Sequence, residues 1–173
     1  QEILSRNLPI WSSYEPGSTF KIISMATALE EKVISLDDTF YDTGSVKVDG
    51  STLRCWKSGG HGHQTFLQVV ENSCNPGFVK IGQLLGKETL FKYIDNFGFG
   101  EKTGIDLNGE GSGILFKLDR VGPVELATTA FGQGVSVTAI QQVTAVSAAI
   151  NGGTLYKPYI VKRMLEPETN EII

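Results

Sequence analysis

The stretch YEPGSTFKIISMATALEEK, residues 14–32, sets a turn against the start of a helix. Pro16 and Gly17 favour the turn, and Ser18 is a good helix-start residue. Phe20, Ile23, Ala26 (or Thr27) and Leu29 then recur at helical spacing, which predicts a mostly buried helix over 18–32. Ser18 and Lys21 lie three apart, so their side chains share a face with Cβ atoms about 5–6 Å apart. Lys21 sits between Phe20 and Ile22, where a charge is out of place. A serine hydroxyl becomes a nucleophile when a base takes its proton, and a lysine whose pKa is lowered by apolar burial is such a base. Backbone N–H groups at the helix start would also serve an oxyanion at Ser18. By itself, Ser-x-x-Lys more often spells a helix cap followed by a solvated lysine.

A second element changes that balance. Residues 71–77, ENSCNPG, place Ser73-Cys74-Asn75 between two predicted helices, TFLQVVENS (65–73) and NPGFVKIGQLLG (75–86). In an extended turn, residues two apart point the same way. Ser73 and Asn75 would then face one pocket while Cys74 points behind them.

The rest of the chain reads as helix-rich α+β. Residues 33–56 carry β-branched and aromatic residues broken by DTG and VDG turns, which predicts short strands. KSGGHGHQ (57–64) is a Gly-rich loop. Gly86 is expected to stop one helix, and a third runs to Gly98. Residues 101–116 read as loop or short strand. A short helix lies over 122–134, a long buried helix over 136–153, and an edge strand is expected from near Tyr159. At 173 residues, 40% hydrophobic, 20% charged and with a net charge of −4, this is an ordinary globular composition with a core of its own. No Lys/Arg run points to a nucleic-acid partner, and no stretch reads as a membrane span. The chain does not begin with Met and is expected to be a piece of something longer.

Ser-x-x-Lys with a Ser-x-Asn element belongs to the signature of penicillin-binding proteins and serine β-lactamases. YEPGSTFK (14–21), ENSCNPGF (71–78), FGFGEKTGIDL (97–107) and AFGQGVSVTAIQQVTAVSAAINGG (130–153) together resemble the transpeptidase domain of a class B penicillin-binding protein. LRCWKSGGHG (53–62) with SCNPGF resembles the sporulation-specific type. The resemblance spans nearly the whole chain. It implies the helix-rich part of the penicillin-binding protein/serine β-lactamase-like fold, a single partial domain over 1–173 lacking most of the central sheet. It also implies that Ser18 is acylated, Lys21 is its general base, Ser73 relays the proton and Asn75 binds the substrate's peptide carbonyl. The substrate would be a peptidoglycan stem peptide ending in D-Ala-D-Ala, and β-lactams would acylate the same serine. The implied setting is the outer face of the cell membrane of a spore-forming bacterium, in spore cortex synthesis. A missing N-terminal anchor and partners such as a glycosyltransferase go with it. Lys102-Thr103-Gly104 spells the family's third element in the wrong surroundings. The family's own K-T-G strand, and its first sheet strand, are expected to lie outside this chain, which would leave the fragment alone inactive. A penicillin-sensing receptor domain and a D,D-carboxypeptidase or β-lactamase remain alternatives.

Every cysteine and histidine lies within residues 55–74, spaced Cys-x5-His-x-His-x10-Cys. Two thiolates and two imidazoles suit tetrahedral zinc, so Cys55, His61, His63 and Cys74 are candidate ligands of a structural zinc behind the Ser73/Asn75 turn. The rival is a Cys55–Cys74 disulfide, consistent with an extracytoplasmic setting. The plainest reading is a buried small Cys74 with the others unrelated. Trp56 beside Cys55 would shield the site, line the cleft or fill the core.

Overall fold

The computed structural model describes residues 7–169 and 172. A short helix α1 (Leu8–Trp11) and strand β1 (Ser13–Tyr14) lead into a 3-10 turn, Gly17–Phe20, which continues as α2 (Lys21–Glu30). Four short strands follow: β2 (Thr39–Asp42), β3 (Ser45–Val48), β4 (Ser51–Arg54) and β5 (Gly62–Thr65). Then come α3 (Phe66–Glu71), α4 (Asn75–Asn96), α5 (Pro123–Thr129), β6 (Val137–Thr138) and α6 (Ala139–Ile150). The strands form three antiparallel pairs, β1–β6, β2–β5 and β3–β4. The fold is helix-rich α+β, as the sequence predicts.

The helices form where local chemistry favours them. Thr65 caps α3 by accepting from Gln68 N, while the Gln68 side chain returns to Thr65 N. α4 is broken at Gly86, whose φ of 72° only glycine adopts readily, so the two predicted helices stand end to end. α2 packs on α4, and Phe20, Ile23, Phe78 and Ile81 join one core. Each such side chain contributes roughly 1.5–3 kcal/mol by leaving water.

The Ser18 turn rests on FGQG, residues 131–134. Gly17 N donates to Gly132 O at 2.9 Å, and Gly134 N donates to Glu15 Oε1 at 2.8 Å. Gly132 has φ +82°, and a Cβ there would collide with the Gly17 carbonyl oxygen and the Phe20 Cβ.

Two expectations are corrected. α6 is buried only along Gln141, Gln142, Ala145 and Ala148, while Val143 and Ile150 face outward. Its apolar run is a half-buried helix and not a core one. Among the described residues no strand forms from Tyr159. The Ile160 and Val161 N–H groups donate to the Asp106 carboxylate, each at 2.7 Å, so a side chain takes donors that a ladder needs. Only an isolated bridge, Leu165 to Ile172, follows among the described residues.

Gly132→Ala is expected to lower stability by about 2 kcal/mol or more, since a left-handed non-glycine residue costs roughly 1–2 kcal/mol before the collision is counted. Urea unfolding checks this, and an unchanged midpoint would show that the FGQG support yields without cost.

Candidate active site and the thiol–histidine cluster

Ser18 lies in the 3-10 turn and is exposed, whereas Lys21, one turn on, is 5% exposed. The Lys21 Nζ reaches four oxygens: Ser18 Oγ at 3.3 Å, Ser73 O at 2.8 Å, Ser73 Oγ at 2.9 Å and Asn75 Oδ1 at 2.7 Å. Ser73 Oγ and Ser18 Oγ are 3.0 Å apart. The structure therefore brings together all four residues singled out for chemistry. Ser18, Lys21 and Ser73 line a small pit of about 170 Å³ with Ile22, Met25, Val70 and Phe78.

Burial lowers the Lys21 pKa from 10.5 to about 8. A neutral amine has two N–H donors and one lone pair. The Ser73 carbonyl and Asn75 Oδ1 can only accept, so they fix both N–H groups. The lone pair is then left for the two hydroxyls. That geometry is a base beside a serine. Asn75 Nδ2 donates one hydrogen to the Arg54 carbonyl at 3.1 Å, and its second hydrogen remains for a ligand.

Ser73 and Asn75 converge for a different reason from the one the sequence suggests. The turn is not extended. Ser73 has φ +49°, left-handed for a non-glycine residue, and Asn75 is the first residue of α4. Cys74 does point behind them, with no exposed surface.

Behind the turn, Asp42, Cys55, His61 and Cys74 hold their ligand atoms within 4.8 Å of one another. His63 is not among them. Gly62 (φ +69°) turns the chain so that His61 faces inward. His63, in β5 opposite Tyr41, projects outward with its ring 4.7 Å from the Tyr41 ring. Asp42 takes the vacated place. Its Oδ2 lies 2.9 Å from His61 Nδ1 and 3.0 Å from His61 N, accepts from Cys74 Sγ at 3.3 Å, and its Oδ1 accepts from Gly44 N at 2.7 Å. Cys55 Sγ is 3.4 Å from His61 Nδ1. No disulfide joins Cys55 and Cys74 in this structure.

Burial alone would raise the Asp42 pKa, but the Gly44 N–H and the bonds from His61, Cys55 and Cys74 outweigh it and bring it to about 2. Burial, and then Asp42, push the Cys74 thiol up to about 11. A fixed carboxylate beside two thiols and an imidazole is a place where a cation relieves repulsion and displaces thiol protons. The separations among donors include 2.9 Å, 3.3 Å and 3.4 Å, and all four lie within 4.8 Å, a range that brackets the edges of about 3.3–3.8 Å of a tetrahedron with bonds of about 2.0–2.3 Å. The donor set fits zinc.

Lys102-Thr103-Gly104 has another use. Thr103 N donates to Glu110 Oε1 at 2.7 Å and Gly104 N to Glu110 Oε2 at 3.0 Å, with the Thr103 hydroxyl joining them. These three letters anchor a loop on a buried carboxylate. Sequence reasoning missed Asp42, which reads only as the start of the DTG turn.

Asp42→Ala strands several buried donors at once, each worth about 1–3 kcal/mol when unsatisfied. A loss of at least about 3 kcal/mol is expected, read as a lower denaturation midpoint, with Asp42→Asn losing less. Equal stability of all three proteins would remove Asp42 as the centre of the cluster.

Comparison with known proteins agrees with this geometry. The penicillin binding protein transpeptidase domain model matches residues 4–171. Stage V sporulation protein D of Bacillus subtilis is 69% identical over 172 residues, covering 99% of this chain and 27% of that protein. The peptidoglycan D,D-transpeptidase FtsI of Escherichia coli is 29% identical over 166 residues, covering 96% of this chain and 28% of that protein. The structure of Mycobacterium tuberculosis penicillin-binding protein 3, complexed with aztreonam, superposes with a TM-score of 0.89 at 29% identity, over 96% of this chain and 37% of that one. The chain thus spans little more than a quarter of the length of the first two. It belongs to the penicillin-binding protein transpeptidase domain family.

Proposed function

We propose that this chain is the helical part of a serine D,D-transpeptidase domain acting on peptidoglycan stem peptides that end in D-Ala-D-Ala. The observation that carries the reading is the Lys21 amine, buried and held between Ser18, Ser73 and Asn75. As Ser18 Oγ attacks the carbonyl of the penultimate D-Ala, its proton passes to Lys21. The C–O bond forms and the C–N bond to the last D-Ala breaks. Ser73 hands the proton to the leaving amine, and the stem peptide stays as an ester on Ser18. An amine of a neighbouring strand then attacks the ester, forms the crosslink and returns a proton to Ser18. The free Asn75 N–H binds the substrate's peptide carbonyl. A β-lactam acylates the same serine, and its amine stays tethered after ring opening.

The 69% identity to a stage V sporulation protein supports a role in spore cortex synthesis. By the same reading the chain is part of a longer protein, anchored in the cell membrane with this domain outside and working beside a glycosyltransferase. The family's K-T-G strand and second oxyanion donor would lie in the remainder. No helix among the described residues is long and apolar enough to cross a membrane. Residues 1–173 alone would not turn over substrate.

We further propose that Cys55, His61 and Cys74, with Asp42 in the place expected for His63, hold a structural zinc. Four protein ligands leave no position for substrate, so the metal would fix structure alone.

Full-length protein is expected to be labelled by a fluorescent penicillin at Ser18, and Ser18→Ala to abolish labelling. The labelling rate should rise with pH as Lys21 loses its proton and level off above about 8. Labelling of Ser18→Ala at the parent rate would refute the assignment. Elemental analysis of protein purified without added metal should give about one zinc per chain, with both thiols titrating after chelation and a lower Tm. Absence of both zinc and free thiols would instead establish the Cys55–Cys74 disulfide.

A further inference from the structure

We infer that Trp56 is a positioning residue for Ser73, and that it carries the state of the thiol–histidine cluster to the catalytic turn. The first half rests on the transpeptidase reading, the second also on the zinc reading. Residues 54–56 grip residues 72–75 in three successive places. The Arg54 carbonyl accepts from Asn75 Nδ2 at 3.1 Å. Cys55 and Cys74 meet in the cluster. Trp56 Nε1 donates to the Asn72 carbonyl at 2.8 Å. The outer grips, at Asn72 and Asn75, flank Ser73 and Cys74, and the middle one is the cluster itself.

The Trp56 bond acts where orientation matters most. The Asn72 carbonyl belongs to the peptide plane that enters Ser73, and rotation from that plane about the Ser73 N–Cα bond is the Ser73 φ. That φ is +49°, a value few non-glycine residues hold without help from outside. Holding the plane holds Ser73 Oγ and Ser73 O, both of which bond Lys21. Asn72 is tied on its other side as well, since its Nδ2 donates to Gln64 Oε1 at 2.9 Å.

Trp56 is not kept in place by the core, because it is 68% exposed. Its fixed neighbours are the Asn72 carbonyl and the ring of His61, edge-on at 5.4 Å between centroids. His61 is in turn held by Asp42. A line of contacts therefore runs from the cluster through His61 to the indole, and from the indole N–H to Ser73. A filled cluster fixes the imidazole and hence the indole. A change in the cluster that breaks the Asp42–His61 bond lets the ring turn and removes the stop.

Trp56→Phe in the full-length protein keeps a ring beside His61 and deletes the N–H. Fluorescent-penicillin acylation, measured to saturation, separates the limiting rate from the half-saturating concentration. The limiting rate is expected to fall about tenfold, the usual scale of one lost hydrogen bond expressed in a transition state. Half-saturation, zinc content and Tm should stay near those of the parent. Chelation should slow the parent by a similar factor and slow Trp56→Phe little further. An unchanged limiting rate overturns the inference. So does a fall that comes with lost zinc or a lower Tm, because Trp56 would then only support the fold. Should the parent contain no zinc while Trp56→Phe is still slow, the positioning role holds and the coupling to metal is refuted. Should penicillin fail to acylate the parent at all, the transpeptidase reading falls and this inference with it.

Discussion

The hydrogen bonding of one buried amine governs the arrangement of this site. Lys21 has left water, which costs free energy in the charged state and lowers its pKa to about 8. Its acceptors come partly from its own helix and partly from a turn more than fifty residues away. The amine is useful only while the turn presents a carbonyl and an amide oxygen at hydrogen-bond distance. Displacement of the turn by an ångström would lengthen the bonds from 2.7–2.8 Å beyond effective range. The demand on the fold is therefore for direction, more than for burial.

The chain meets that demand from two sides. In front, the Ser18 turn is pinned through Gly17 to Gly132 and through Glu15 to Gly134, which explains a glycine-rich segment beneath a serine. Behind, Ser73 is held left-handed, a conformation that costs of order 1–3 kcal/mol and persists only when surroundings over-determine it. Those surroundings are the bonds to Arg54 and Trp56 and the cluster around Cys74. Local strain at the Ser73 turn is offset by polar contacts of its neighbours Asn72, Cys74 and Asn75.

Much of this was legible in the sequence where local chemistry decides. Ser18 and Lys21 follow from helical spacing and from a charge in an apolar run. The break at Gly86 and the placement of Ser73-Cys74-Asn75 between helices follow from residue preferences over a few positions. Lys102-Thr103-Gly104 was separable from a catalytic strand by its surroundings, and Glu110 supplies the physical reason. What local reading missed depends on distant partners. Asp42 in a DTG turn looks like a turn residue, and only the β2–β5 pairing brings it to His61. His61 and His63 look equivalent until the positive φ of Gly62 sends their rings apart. The exposed side of α6 and the course of Ile160 and Val161, held by Asp106 more than fifty residues away, likewise depend on distant parts of the chain.

The choice of a polar cluster behind the turn, in place of a packed apolar one, follows from the same demand for direction. Apolar packing is nearly non-directional and tolerates rotation of a peptide plane as long as volume is filled. A carboxylate that accepts from one backbone N–H in its own turn, from another across the pair, and from a thiol in the catalytic turn fixes angles as well as distances. The cost is a charge buried at Asp42 and a thiol pushed up to about 11 at Cys74. Such a cluster is strongest when its donors and acceptors are matched, and in this one the His61 Nε2 is buried without a hydrogen-bond partner. The state of the cluster and the geometry of Ser73 therefore depend on each other.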